Sequence, residues 1–201
     1  MGSGRRVVVM LGSNIAPRRH LPEAIRRLAT RLRVLRTSRT FETDAVSTWA
    51  DSPRFLNAAA LVGTELSPER LKFDVLRAIE AELGRVRIPG DKTAPRVIDL
   101  DLALVDDSAG AGPVELFEPA LLTAAYAAVP VAELVPDWRH PGDGRTMAEI
   151  AAGLDQSGVR LAPADKGRSG PVLGQGVSDA TPRRCAGFRS GAGARSGRRG
   201  P

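Results

Sequence analysis

Two aspartates separated by a single residue, Asp99 and Asp101, stand in the run Pro95-Arg96-Val97-Ile98-Asp99-Leu100-Asp101-Leu102. Side chains along a strand alternate between faces. Both carboxylates are therefore expected on one face, with Ile98, Leu100, Leu102 and Leu104 filling the other. Neighbouring carboxylates repel, and burying them without a cation costs several kcal/mol. A Mg²⁺ ion, which takes carboxylate oxygens together with substrate phosphates, resolves that repulsion. The spacing equally allows an exposed strand face with two solvated aspartates. Basic residues flank the pair: Arg96 just before it, Arg85 and Arg87 at the end of the preceding helix, and Lys92 in the Gly/Pro loop between. Guanidinium forks match phosphate oxygens, so this charge arrangement suits a metal–triphosphate complex. Its plainer counterpart is a solvated helix C-terminus, where the helix dipole favours basic residues.

The elements that must position these groups are legible as hydrophobic patterns. Val7 to Leu11 is a short β-branched run that stops at Gly12-Ser13-Asn14, as a buried strand does before a tight turn. Leu21, Ala24, Ile25, Leu28 and Leu32 fall at helical spacing. Val34 to Phe41 alternates loosely and is expected as a strand, Thr43 to Pro53 as a polar loop, and Phe55 to Val62 as a second apolar strand. Ser67-Pro68-Glu69 starts a helix with Ser at the N-cap and Pro at the first helical position. Gly84 stops that helix, and Val97 to Val105 is the last clear strand. The order β-α-β-β-α-β predicts an α+β, ferredoxin-like sandwich. Helical pieces around Leu121–Leu134 and Met147–Leu154 predict a small C-terminal helical subdomain.

Charge divides the chain. Residues 156–201 carry nine Lys+Arg against two Asp+Glu, whereas residues 1–155 carry 20 against 21. The basic excess belongs to a Gly/Ser/Arg-rich tail with few large apolar residues, too few to offset the entropy of ordering it. The expected division is a folded domain over 5–155 and a disordered tail over 156–201. The single cysteine, Cys185, excludes an internal disulfide or a cysteine zinc site. The apolar run at the N-terminus is too short for a signal core or a membrane span. A monomer in a reducing cytoplasm is expected, with no membrane and no specific nucleic acid as partner.

Several segments together carry a family resemblance. Val9-Met10-Leu11-Gly12-Ser13-Asn14 resembles the "ALGSN" opening of the 6-hydroxymethyl-7,8-dihydropterin pyrophosphokinases, and Phe55-Leu56-Asn57-Ala58-Ala59 resembles their "(Y/F)LNA" segment. Glu80 through Gly84-Arg85-Val86-Arg87 resembles the "E…GR.R" helix end, and Lys92-Thr93-Ala94-Pro95-Arg96-Val97-Ile98-Asp99-Leu100-Asp101-Leu102 the signature "(K/R).(G/A)PR..D.D". Pro130 to Asp137 resembles the late "PL.EI.PD" segment. The segments are collinear, and the family fold is ferredoxin-like.

The resemblance implies transfer of pyrophosphate from the co-substrate ATP to the hydroxymethyl group of the pterin, giving AMP, in folate biosynthesis. It implies that Asp99 and Asp101 hold two Mg²⁺ ions against the ATP phosphates. Arg85, Arg87 and Arg96 act as catalytic arginines on that side, and Glu80, Lys92 and Leu102 complete the ATP site. Gly12, Thr43, Val46, Phe55, Asn57 and Tyr126 form the pterin pocket, with Asn57 bonding the ring and Phe55 stacking on it. The chain departs from the family at Asp44-Ala45, where Pro-Pro is usual, and at Thr93, where Trp is usual. The late "HPR.HER.F" segment reads Glu118 to Tyr126, without its His and Arg residues. These departures leave room for a diverged paralogue with weakened activity or another pterin-like acceptor. A ferredoxin-like nucleic-acid-binding domain is the rival from another class. It needs aromatic residues on the central strands, and Val7–Leu11 and Val97–Val105 have none. His20 and His140 are expected at the surface, Trp138 in packing, and Trp49 over the pterin.

Overall fold

The computed structural model describes residues 4–44, 53–87, 94–106, 114–116 and 118–163. The chain runs β1 (Arg5–Ser13), α1 (Pro17–Arg31), β2 (Arg33–Thr37), β3 (Phe41–Thr43) and β4 (Phe55–Thr64). Pro68–Arg70, Leu71–Leu76 and Arg77–Glu82 then run as one helix, α2, whose middle turn is widened to π geometry. After it come β5 (Asp99–Asp106), β6 (Val114–Leu116), a 3₁₀ turn at Pro119–Leu122, α3 (Ala125–Leu134), α4 (Met147–Ala152) and β7 (Val159–Leu161). All strand pairs are antiparallel, in the order β6-β5-β1-β4-β3-β7, with β2 also paired to β4. The central order β5-β1-β4, completed by β2 and β3, is the expected ferredoxin-like arrangement.

Local chemistry explains the helix ends. The Ser67 hydroxyl accepts a hydrogen bond from Arg70 N–H at 3.2 Å, with Pro68 following in the first turn. Gly84 takes φ +85°, a left-handed conformation that glycine adopts without steric cost and that ends α2. The expected strand Val34–Phe41 is two strands, interrupted at residues 38–40, where Ser38 N–H donates to Ala59 O at 2.9 Å and Ser38 Oγ accepts from Ala59 N–H at 2.8 Å.

The sheet is covered on both faces, which is why Val7, Val8 and Val9 are all fully buried in an unbroken apolar run. On one face, α1 and α2 pack Leu21, Leu28, Leu71 and Ile79 against Val7, Val9 and Leu11. On the other, α3, α4 and the 3₁₀ turn pack Leu121, Val131, Met147 and Ile150 against Val8, Ala59 and Leu61. The C-terminal helices thus form the second layer of the sandwich, packed on the sheet. They also cover the central-strand face that an RNA-recognition domain of this topology leaves open. No helix among the described residues is long and apolar enough to cross a membrane.

Strict alternation fails at one place in β5. The β1–β5 register shifts between Val8 and Val9, which oppose Leu104 and Leu102, so Ala103 is an extra residue in β5. Leu100 and Leu102 join the first core as expected, but Leu104 crosses to the second core and Val105 takes its side. Beyond the bulge, Asp106 is 1% exposed and pairs with Arg6 at 2.5 Å, while Arg6 lies over the Trp138 ring at 5.2 Å.

The ordered domain also passes the expected boundary at residue 155. β7 adds to β3 with Phe41 opposite Leu161 and Thr43 opposite Val159. A short apolar Val-Arg-Leu stretch satisfies the outer edge of β3 even though its composition resembles the tail that follows. Ending the chain at Pro163 should leave the melting temperature within about 2 °C of the full chain. Ending it at Gln156 should lower it by about 3–6 °C, because β3 loses its partner. Calorimetry on the two truncations checks both.

Candidate active site

The sheet register brings the expected site residues to one end of the second face. Asp99 is opposite Gly12 in the ladder, and Gly12 is opposite Asn57 on its other side. Asp101 is opposite Met10 one step further along. Gly12 leaves little room: a Cβ there would stand 3.2 Å from Asn57 Oδ1, a tight approach, and 3.9 Å from the Phe55 ring. Asn57 Nδ2 donates to Thr43 Oγ1 at 2.8 Å, and both residues are buried. Phe55 lies two residues before Asn57 on the same face of β4, with the Arg96 guanidinium 5.7 Å from its ring centre. Gly12, Thr43, Phe55 and Asn57 therefore form one cradle beside the aspartates.

The arginines reach this face around an open strand edge. Among the described residues β6 pairs with β5 only at Leu104–Asp106, so the edge at Leu100 has no strand partner. Glu80, 2% exposed on α2, takes that place: its Oε1 accepts Leu100 N–H at 2.8 Å. The same carboxylate binds Arg85 Nη1 and Arg87 Nη2, each at 2.5 Å. Arg85 continues past the edge to Ile98 O at 3.1 Å and to Asp99 Oδ1. Arg96 holds Asp99 Oδ2. Arg87 is half-exposed beyond Glu80. Leu102 is not brought to the site by its side chain, which is buried in the first core; its backbone follows Leu100 along the same edge. Lys92, Val46 and Trp49 lie outside the described residues.

The two aspartates differ in their electrostatics. Burial tends to raise the Asp99 carboxyl, but hydrogen bonds and charge from Arg85 and Arg96 outweigh it and hold the group below its ordinary value. Among the described residues no arginine hydrogen-bonds Asp101. Burial first, and then the charge of Asp99, push it up to about 6, with Lys72 pulling in the opposite direction. Tyr126, at the start of α3, has its phenol raised by burial and by Glu118, Asp99 and Asp101. It therefore lies within electrostatic reach of the carboxylate pair. Among the described residues no three His, Cys, Asp or Glu side chains cluster as a metal cage. Two carboxylates on one face, one of them without an ion-pair partner among the described residues, fit a hard cation that completes its shell with substrate oxygens.

Sequence reasoning missed four contributors. Ser13 and Asn14 look like turn residues but are buried, and they bind the Arg96–Val97 main chain. Lys72 looks like a helix-surface lysine; only the open β5 edge explains its influence on Asp101. Glu118 Oε1 caps the 3₁₀ turn by accepting Ala120 N–H at 2.9 Å, and its charge also bears on Asp101. His20 binds Ile15 O and His140 pairs with Asp143, both away from the aspartates. Trp138 packs on the second core as expected.

The family model described as 7,8-dihydro-6-hydroxymethylpterin-pyrophosphokinase matches residues 8–136. A 2-amino-4-hydroxy-6-hydroxymethyldihydropteridine pyrophosphokinase of Pseudomonas aeruginosa is 36% identical over 163 residues, covering 79% of this chain and 98% of that protein. Proteins of the same name are 37% identical in Methylorubrum extorquens, over 77% of this chain and 96% of theirs, and 32% identical in Synechocystis, over 76% and 77%. The matched stretch contains every strand and arginine of the site just described, and the chain belongs to the 7,8-dihydro-6-hydroxymethylpterin pyrophosphokinase family.

Proposed function

We propose that the end of the sheet around Asp99 and Asp101 is where this chain transfers pyrophosphate from ATP to 6-hydroxymethyl-7,8-dihydropterin, a reaction of folate synthesis that releases AMP. The observation that carries the reading is the shared row of the ladder. Asp99, Gly12 and Asn57 sit side by side on three strands, so the phosphate-side and pterin-side groups meet across one glycine. Asn57 and Thr43 present polar atoms to the pterin ring, and Phe55 and Tyr126 present aromatic faces. Arg85, Arg87 and Arg96 supply positive charge for the triphosphate, where transfer needs alignment and neutralisation more than covalent help.

Asp99 and Asp101 would hold magnesium, with substrate phosphates completing the coordination. When bound, the ions neutralise phosphate charge as it shifts from one oxygen to another. Asp99 keeps its charge because Arg85 and Arg96 hold it. Asp101 is the group whose ionisation a cation would favour most. The diverged-paralogue reading has its own observation: Glu118 stands where the family has His, and it adds negative charge beside Asp101 and Tyr126. Weaker nucleotide binding than in the relatives is the expected consequence. AMP formation by the pure protein with ATP, Mg²⁺ and the hydroxymethyl-dihydropterin tests the assignment, and no AMP with any pterin would favour the paralogue reading.

Asp101 links activity to stability with a definite sign. Its carboxyl is raised in the folded chain, so the fold resists its ionisation. That penalty is absent below the ordinary carboxylate pKa and grows as pH rises through about 6. Asp101→Asn should therefore stabilise the protein in EDTA at pH 7.5 by about 1–2 kcal/mol, after allowance for solvent screening. The gain should vanish near pH 4. The same variant should lose turnover by at least ~100-fold. Denaturant unfolding at the two pH values and an AMP assay check it; a destabilised variant at pH 7.5 would contradict it.

Glu80 acts on ATP through its arginines. Glu80→Gln keeps an acceptor for Leu100 N–H but removes the charge that holds Arg85 and Arg87, and kcat/KM for ATP should fall by about 10–100-fold with the fold retained. Glu80→Ala leaves that N–H and the buried Arg85 without their partner and should cost about 3–5 kcal/mol. Steady-state kinetics with thermal melts separate the two, and unchanged ATP kinetics in Glu80→Gln would remove Glu80 from the site.

A further inference from the structure

Asn14 follows the last residue of β1 and is 2% exposed. Its main-chain N–H donates to Arg96 O at 3.1 Å, and its Oδ1 accepts Arg96 N–H at 2.7 Å. At its other end the amide Nδ2 donates to Pro53 O at 3.5 Å, a longer contact. The partners fix the orientation of the amide: Arg96 N–H can only donate, and the main chain of Pro53 offers only a carbonyl. Ser13 Oγ donates to Val97 O at 2.5 Å beside it.

These bonds stand where the ladder stops. β1 and β5 pair as far as Gly12 and Asp99, and Pro95 brings no N–H of its own. Residues 96 and 97 are held to β1 by Asn14 and Ser13 instead of by strand pairing. Arg96 then points its guanidinium at Asp99 Oδ2 and over the Phe55 ring. Pro53 opens the short run to Phe55 and Asn57. One buried amide therefore joins the arginine segment on the phosphate side to the root of the strand on the pterin side.

We infer that Asn14 is a positioning residue, whose side-chain amide sets the separation between Arg96 and the Phe55–Asn57 strand and so aligns the nucleotide with the acceptor hydroxyl. The inference rests on the site reading above. Each substrate alone touches one side of the amide, so its own binding does not depend on the separation. Turnover does, because a misplacement of about 1 Å between reacting groups costs on the order of 100-fold.

The test uses the full chain with Asn14→Ala and Asn14→Asp, the second keeping the acceptor for Arg96 N–H. Three quantities are read: kcat, equilibrium affinity for the pterin alone and for a non-hydrolysable Mg·ATP analogue alone, and melting temperature. Asn14→Ala should lower kcat by about 10–100-fold while both separate affinities stay within about threefold, and Asn14→Asp, which keeps the Arg96 bond but has no N–H for Pro53 O, should also lower kcat, by at least about fivefold. The inference is overturned if Asn14→Ala keeps kcat within about twofold, or if both affinities fall in step with kcat, the signature of a merely structural role. If Asn14→Ala does not fold, Asn14→Asp decides alone: a kcat loss of about fivefold or more with both affinities within about threefold supports the bridge, and kcat within about twofold, or affinities that fall in step with kcat, overturns it. Asp99→Ala runs beside them. If it retains turnover, the site reading itself fails; if it is inactive while Asn14→Ala is not, only the role of Asn14 fails.

Discussion

Glu80 places a carboxylate at 2% exposure between the core and the unpaired edge of β5. A charge in that position costs several kcal/mol unless its lone pairs are used, and here they are: Leu100 N–H, Arg85 and Arg87 all donate to it. The same contacts solve a second problem, because a strand edge leaves N–H groups unpaired. Among the described residues this edge is thus capped by a side chain and not by another strand. Glu80 also anchors Arg85, which passes from the α2 side of the sheet to the Asp99 side. Without the buried carboxylate, the arginine that neutralises Asp99 has no fixed origin.

The two aspartates show how one strand gives two identical side chains different properties. Both are partly buried on the same face, but among the described residues the arginines hydrogen-bond Asp99 and not Asp101, and the charge of Asp99 then works against Asp101. The pair is held short of full neutralisation. A cation or a phosphate-bound metal would relieve a penalty that the fold itself carries. Such a site costs stability, and the two-faced apolar core bears that cost elsewhere.

The glycine and alanines of the central strands serve the same end. Gly12 admits Asn57 and Phe55 close to β1, and Ala58, Ala59 and Ala60 in β4 let helices approach both faces closely. Ser13 and Asn14 extend the order of β1 past its last paired residue and stabilise the Arg96 main chain where Pro95 breaks any ladder. Rigid strands thus carry the groups proposed for both substrates, as precise alignment requires.

Much of this was legible in the residues themselves. The apolar run Val7–Leu11, the helix signal Ser67-Pro68-Glu69, the stop at Gly84 and the Asp99/Asp101 alternation each have a local cause, so each is where the pattern places it. The collinear motifs likewise carried the family, because spacing along a chain survives in its residues. What the chain alone could not reveal depends on partners distant in sequence. Leu104 changes faces because Ala103 bulges against Val8 and Val9, which no period-two pattern contains. β7 counts as ordered only because Phe41–Thr43 offers it an edge. Glu80 reads as one more helix carboxylate until Leu100 lies against it, and Asn14 as a turn residue until Arg96 does. Sequence determined the elements and the chemical groups; tertiary structure decided which buried polar atoms would satisfy one another, since desolvation is felt only once the chain has folded around them.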